Sequence, residues 1–451
     1  MTEAIAAFAA TYGPIDDETA GQVRRHLLDW AGLVPGGRAY AQSSESILAA
    51  ISGLSETDVP VGIPTGHILA PDRAALLAGT FAHSLDFDDT DLTSSLHPGA
   101  PVISAVMPVA RSTAASSQSV LSAISLGYDV TCAVGRAVDP AVHYDRGFHV
   151  TATCGTFGAV AAVGSLLGFD VEKFEAAFGV AGSQAAGSLQ FLENGAWNKR
   201  LHPGLAAQRG VVAAHLVDAG FRGATRPLTG DFGFLHGYTD NPHPEQLEQI
   251  EPGAAVTDTG LKPYPCCRYM HPAIDGLLEL APEVSVDDIE RIVIDVPRSG
   301  VQLTGDPIDR KRRPQNFVDS QFSMPFAAAL ALGQEDTGLH AFLDAQDRLD
   351  DPDLVSRMDR VEVVSTDRTN EPFPDRWSAH VMIEDATGRH ERYVDRPRGE
   401  PERPLADATL DAKVRELLAH TPLDADAVIE TVRGIGLHAT MDELFDVIEE
   451  T

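Results

Sequence analysis

A chain of 451 residues with 66 acidic against 34 basic side chains carries a formal charge of −32, which excludes nucleic acid and anionic membrane surfaces as partners. It is too long for one ordinary core. Its composition, 43% hydrophobic but only 6% aromatic, predicts two domains with interiors built on Ala, Val and Leu.

The first stretch, MTEAIAAFAATYGPIDDE, has no basic n-region and carries an early Glu3, so no secretory signal is expected there. Residues 17–33 place Val23, Leu27, Trp30 and Ala31 at helical spacing, and 71–84 open on Pro71 and Asp72 as helices do. Segments 118–137, 155–168, 173–192 and 204–220 are Ala-rich with glycine punctuation and predict closely packed helices. Residues 149–169 contain no Asp, Glu, Lys or Arg and are long enough to cross a bilayer. The run is mostly Ala, Gly, Ser and Thr, and a buried core helix is expected instead.

From about 262 the texture changes. RIVIDVP (291–297), RVEVVST (360–366) and the pair SAHVMIED and ATGRHERYVD (378–395) read as strands, the last two as a hairpin around Ala386-Thr387-Gly388. SQFSMPFAAALALG (320–333) is helix-like, and after the Pro- and Arg-rich stretch 396–404 helical texture returns through 410–449. The expected fold class is therefore mainly α. A large all-helical domain formed by both chain ends (1–262 and 401–451) receives an inserted smaller α+β lid domain (263–400).

The densest polar segment is HSLDFDDTDLTSSLHPG, residues 83–99. Asp86, Asp88, Asp89 and Asp91 cannot all be ionised side by side unless they meet water, cations or one another, and Pro98-Gly99 would hold His97 in a turn. A solvated acidic loop is the plain alternative. Four further segments gather cations: YDRGFHV with His149, NKRLHPG with Lys199, Arg200 and His202, KPYPCCRYMHP with Lys262, Arg268 and His271, and DRKRRPQN at 309–316. Only five lysines occur, Lys173, Lys199, Lys262, Lys311 and Lys413. Cations confined to a few turns of an acidic chain suggest a pocket for a small polyanion.

Cys132, Cys154, Cys266 and Cys267 form no C-x-x-C pair, which fits a reduced, cytoplasmic setting. The acidic excess suits a salt-rich, halophilic one. No linear metal motif, dinucleotide fingerprint, P-loop or nucleophile elbow occurs, so neither metal nor nucleotide cofactor is expected.

DFDDT with a following HPG, GFH before the T-x-G-x-x-x-A-A run, NKRLHPG, and KPYPCCRYMHPAID together resemble the MmgE/PrpD family, most clearly over 80–335 and in the same order. That resemblance implies a helical domain with a smaller lid, a homodimer, no cofactor and a small polycarboxylate substrate. The implied site comprises Asp86, Thr90, His97, His149, Lys199 and His271, to which the cation-bearing turns add Arg268 and His202.

In the expected mechanism Lys199, assisted by His149 and His271, stabilises charge developing beside a carboxylate. His97 moves the proton, Asp86 orients a histidine and Thr90 binds a substrate oxygen. Loss of Lys199 is expected to cost turnover but little stability. The expected activity is a cofactor-free lyase of the 2-methylcitrate dehydratase type. Iminodisuccinate epimerase and cis-aconitate decarboxylase are alternatives within the family, and a non-catalytic polycarboxylate-binding protein is the alternative of another class.

Overall fold

The computed structural model describes residues 2–54, 69–333 and 337–449. The chain divides into two compact units, Met1–Thr259 with Leu410–Thr451, and Gly260–Thr409. The sequence reading placed these junctions at 262/263 and 400/401. Residues 398–403 stay with the second unit because Glu400 pairs with Arg268, and Arg398 and Arg403 with Asp275.

The first unit is helical. Its framework is α1 (Asp17–Tyr40), α2 (Pro71–His83), α3 (Gly99–Thr113), α4 (Ser117–Ala137), α5 (Val150–Leu166) and α6 (Asn198–Asp218). Asp16 caps α1 and Ser116 caps α4, each accepting from the backbone three residues on. The sequence pattern ended the first helix near 33, yet α1 runs through Pro35 to Tyr40, because Val34, Pro35, Gly36 and Gly37 are buried and packing overrides the proline penalty.

α5 is the spine of this unit. Every residue from Val150 to Gly164 is buried, and α5 packs against α3, α4 and α6. The α4–α5 crossing requires glycine at 158, where a Cβ would lie 1.7 Å from Thr131 Oγ1. The run 149–169, free of Asp, Glu, Lys and Arg, thus supplies a core helix at Val150–Leu166. No helix among the described residues is long and apolar enough to cross a membrane.

His143 is buried beside this spine, its ring nitrogens meeting the Tyr238 carbonyl at 3.0 Å and Thr153 Oγ1 at 2.9 Å. Burial pushes its pKa down from 6.5 to about 4. Its stabilising contribution is therefore complete above pH 6.5 and is lost as pH falls toward 4, up to about 3 kcal/mol. Asp29 and Asp129, each pushed up to about 6 by burial, pull the other way. Denaturant melts between pH 7 and pH 4 should accordingly show a smaller acid loss in His143→Gln than in wild type; equal losses would clear this histidine.

The second unit contains a four-stranded sheet in the order β2-β1-β3-β4, with β1 at Ile289–Asp295, β2 at Val361–Val364, β3 at Ala379–Asp385 and β4 at Gly388–Val394. β1 and β2 are parallel with Ile292 opposite Val361, and the other pairings are antiparallel. The expected hairpin closes with Asp385 opposite Gly388. Asp385 Oδ1 accepts from the Thr387 and Gly388 amides, which fixes the turn. Helices α7 (His271–Leu280) and α8 (Met324–Leu332) complete this unit's core, and α7 lies on β3 and β4. Helix α9 (Asp407–Leu418) carries the chain back into the first unit.

Candidate active site

Three helix starts build the site. His97 and Pro98 lead into α3, His149 is the N-cap of α5, and Lys199 lies in the first turn of α6. The first amides of a helix lack intrahelical partners, and its macrodipole places about half a positive charge there. The His97 amide donates to Thr151 Oγ1 at 3.1 Å, tying α3 to the first turn of α5. The ring of His83 lies 4.8 Å from that of His97 and 6.0 Å from that of His149, and His202 lies 5.2 Å from His149, between centroids. The charge of Lys199 also reaches the His149 ring.

The acidic segment 86–91 is not a solvated loop. All four aspartates are at most 4% exposed, and each has its own partner. Asp86 Oδ1 takes Lys199 Nζ at 2.8 Å. Asp88 Oδ2 takes His83 Nδ1 at 2.7 Å, while Asp89 takes His26 Nδ1 at 3.0 Å, the Tyr128 hydroxyl at 2.5 Å and the Gly99 amide at 3.1 Å. Asp91 Oδ1 accepts from the Ser94 amide at 2.7 Å and closes a turn.

The sequence reading gave Asp86 a histidine to orient; the carboxylates paired with histidines are Asp88 and Asp89, and Asp86 takes the lysine. Asp86 also stands at φ +50°. Such a backbone costs a non-glycine residue roughly 1–2 kcal/mol, and strain of this kind collects at functional sites.

His97 Nδ1 lies 2.6 Å from the Asp89 carbonyl and 3.3 Å from Thr90 Oγ1. A carbonyl only accepts, so Nδ1 carries the proton and Nε2 is the atom that gains or loses one. Thr90, expected to hold a substrate oxygen, has its hydroxyl against this ring.

His149 and His202 meet Nδ1 to Nδ1 at 3.0 Å, so one donates and the other accepts. Burial, then His202 and Lys199, push the His149 pKa well down. Burial, then Arg209 and Lys199, push His202 down to about 4. Both rings are therefore neutral at neutral pH, so neither adds a second positive charge beside Lys199. The second HPG is no turn: Pro203 and Gly204 lie inside α6. There a Cβ on Gly204 would come within 2.2 Å of the Leu76 carbonyl, so α2 and α6 cross at bare backbone.

His271 and Arg268 belong to the second unit. His271 is fully buried at the first position of α7. Its Nδ1 faces Arg268 Nη1 at 2.9 Å and its Nε2 faces the Cys266 carbonyl at 3.2 Å. Arginine only donates and a carbonyl only accepts, so this ring is neutral with the proton on Nε2. Arg268 is itself buried and ion-paired with Glu400.

Lys262 is fully buried in the same unit. The basic run 309–316 serves the fold: Lys311 Nζ holds the Phe322 carbonyl at 2.9 Å, Arg312 the Val361 carbonyl at 2.6 Å, and Arg313 pairs with Asp359.

Among the described residues, His83, Asp88 and His97 present one donor atom each within 4.8 Å, a set able to hold a metal ion. Linear spacing could not reveal it, since α2 must first turn His83 back onto the loop. The separation of 2.7 Å between His83 Nδ1 and Asp88 Oδ2 is shorter than the roughly 3.4 Å between two ligands of one tetrahedral zinc. It is the length of a hydrogen bond with a proton in it.

The helical unit thus gathers Lys199, His83, His97, His149 and His202 around the starts of three helices. The MmgE/PrpD N-terminal domain matches residues 3–247 and the MmgE/PrpD C-terminal domain matches residues 264–434; the chain belongs to the MmgE/PrpD family. It is 25% identical over 309 residues to the cis-aconitate decarboxylase of Aspergillus terreus, covering 64% of this chain and 62% of that relative. It is 26% identical over 407 residues to the cis-aconitate decarboxylase-like protein oryM of Aspergillus oryzae, 84% and 82% of the two chains. It is 28% identical over 283 residues to the cis-aconitate decarboxylase of Mus musculus, 58% and 55%.

Proposed function

We propose that the protein is a lyase acting on a small di- or tricarboxylic acid, forming or quenching a carbanion beside a carboxylate by acid–base chemistry alone. The observation that carries this reading is the convergence of Lys199, His149 and His97 at three helix starts. A carbanion next to a carboxylate is poorly stabilised, and fixed positive potential at that carboxylate lowers the barrier. Lys199 with the helix dipoles supplies the potential, and His97 Nε2 exchanges a proton with carbon.

In decarboxylation the carbon–carboxylate bond breaks, carbon dioxide leaves, and the remaining electron pair takes the His97 proton. In dehydration His97 removes the α-proton, and the C–H electron pair becomes the double bond as the β C–O bond breaks. A protonated group, the Lys199 ammonium on this reading, gives the departing hydroxyl the proton with which it leaves as water. The names of the relatives favour decarboxylation of a cis-aconitate-like acid as the first reaction to test, ahead of the 2-methylcitrate dehydration that the motifs alone suggested.

Proton NMR in deuterated buffer with cis-aconitate, 2-methylcitrate, citrate and iminodisuccinate tests the reading. Carbon dioxide loss, gain or loss of water, or deuterium wash-in should appear with at least one acid. Silence across the four with folded protein would overturn the lyase reading.

A further inference from the structure

We infer that His83 is a positioning residue that holds the Asp88 carboxylate away from His97, keeping the His97 proton exchangeable near neutral pH instead of holding it in a close ion pair. This rests on the proposed role of His97 in proton transfer. Asp88 is 2% exposed, and its Oδ1 has no hydrogen-bond partner among the described residues. Its Oδ2 lies 2.7 Å from His83 Nδ1 but 3.8 Å from His97 Nδ1. Two imidazoles thus flank one buried carboxylate, and the closer one has it.

The His83 ring also packs at 4.8 Å from His97 and 6.0 Å from His149, between centroids, so it spaces the two rings as well. A buried carboxylate stripped of its donor turns to the next one available, which here is His97. An imidazole paired with a carboxylate holds its proton more tightly, and a tightly held proton makes a poor base at neutral pH.

The groups that face His97 come from several elements. The loop provides Asp88, the Asp89 carbonyl and Thr90, and α2 provides His83. Thr151 and His149 belong to the start of α5, and the Lys199–Asp86 pair links α6 to the loop. Of these, Asp88 and His83 are the charged and titratable groups whose exchange of partners directly changes what His97 Nδ1 meets.

Two substitutions should move the His97 titration in opposite directions. In His83→Phe the midpoint rises by about one pH unit as Asp88 turns to His97, and in Asp88→Asn it falls by a similar amount. His83→Asn, whose side-chain amide nitrogen takes the place of Nδ1 as donor, restores the wild-type midpoint. NMR of ¹³C-histidine-labelled protein without substrate, with His97→Asn assigning the signal, reads this independently of any reaction.

On an acid that is dehydrated, where His97 takes the proton, His83→Phe should lower kcat about tenfold at pH 7 with KM within about twofold and shift the acidic limb upward. On an acid that is decarboxylated, where His97 gives the proton, the basic limb should shift upward instead; His83→Asn should restore the wild-type profile in either case. An unchanged His97 midpoint in folded His83→Phe and Asp88→Asn would overturn the inference, as would His83→Asn behaving like His83→Phe. Should His83→Phe not fold, Asp88→Asn and His83→Asn decide it through the same titration. Absence of turnover on all four acids with the opposite midpoint shifts intact would instead count against the lyase reading alone.

Discussion

Replacing Lys199 with alanine is expected to lower turnover about 100- to 1,000-fold, the scale set by losing one preorganised charge-stabilising group. The same substitution is expected to lower stability by about 2 kcal/mol, because it leaves a buried carboxylate without its cation. The Asp86 side chain is only 5% exposed and its Oδ1 lies 2.8 Å from Lys199 Nζ. The sequence-based expectation of little stability loss treats Lys199 as an isolated pocket cation and does not include this pair.

The two effects separate in a double variant. Asp86→Asn with Lys199→Met removes both charges together, so stability should return toward wild type while turnover stays low. Urea melts and the NMR assay on the same samples provide the comparison. Wild-type turnover in Lys199→Ala would remove this lysine from the chemistry.

Lys413→Met should be the most destabilising single change outside the site, by about 3–5 kcal/mol. Lys413, in α9, sits 2.6 Å from Asp29 Oδ1, donates to the Phe87 carbonyl at 2.7 Å and lies 3.9 Å from the centre of the Phe87 ring. Burial raises the Asp29 pKa to about 6 even though Lys413 opposes the rise, so loss of the lysine strands a costly carboxylate. Phe87 separates Asp86 from Asp88, and its release should lower turnover about tenfold as well. Adding Asp29→Asn to Lys413→Met should recover most of the stability; a melt of Lys413→Met indistinguishable from wild type would show the pair contributes nothing.

Much of the site was legible as residue types. The aspartate run, the two HPG segments and the scarce lysines marked the segments, and the family resemblance singled out Asp86, Thr90, His97, His149, Lys199 and His271 within them, of which His271 falls in the second unit. The partners were not legible, because they are remote: Asp86 and Lys199 are 113 positions apart, and Phe87 and Lys413 are 326 apart.

Two residues left a signal that went unused. Lys413 is one of five lysines, and His83 opens the most polar segment of the chain. His26 and Asp29 left less: His26 follows Arg24 and Arg25, and Asp29 is a single polar position between Leu28 and Trp30. Local rules served well where local forces decide, as in the hairpin at Asp385–Gly388 and the start of α2 at Pro71. They failed at the second HPG, where burial of α6 against α2 kept Pro203 within a helix. They failed again at 173–192, where the helix stops at Gly182 and a 3₁₀ turn follows only at Leu189–Glu193.

The three helix starts have one more consequence, which concerns how such a protein changes over generations. The potential they create belongs to peptide groups, so it neither titrates with pH nor disappears through any single side-chain substitution. On the proposed lyase reading, a chain of net charge −32 would thereby keep a standing invitation to small acids inside a body that otherwise repels them. The histidines and the lysine can then be exchanged for other chemistry without the lineage having to rediscover how to collect its substrate. Novelty in such a lineage would fall on what happens to the captured acid, and the capture itself would be inherited with the backbone.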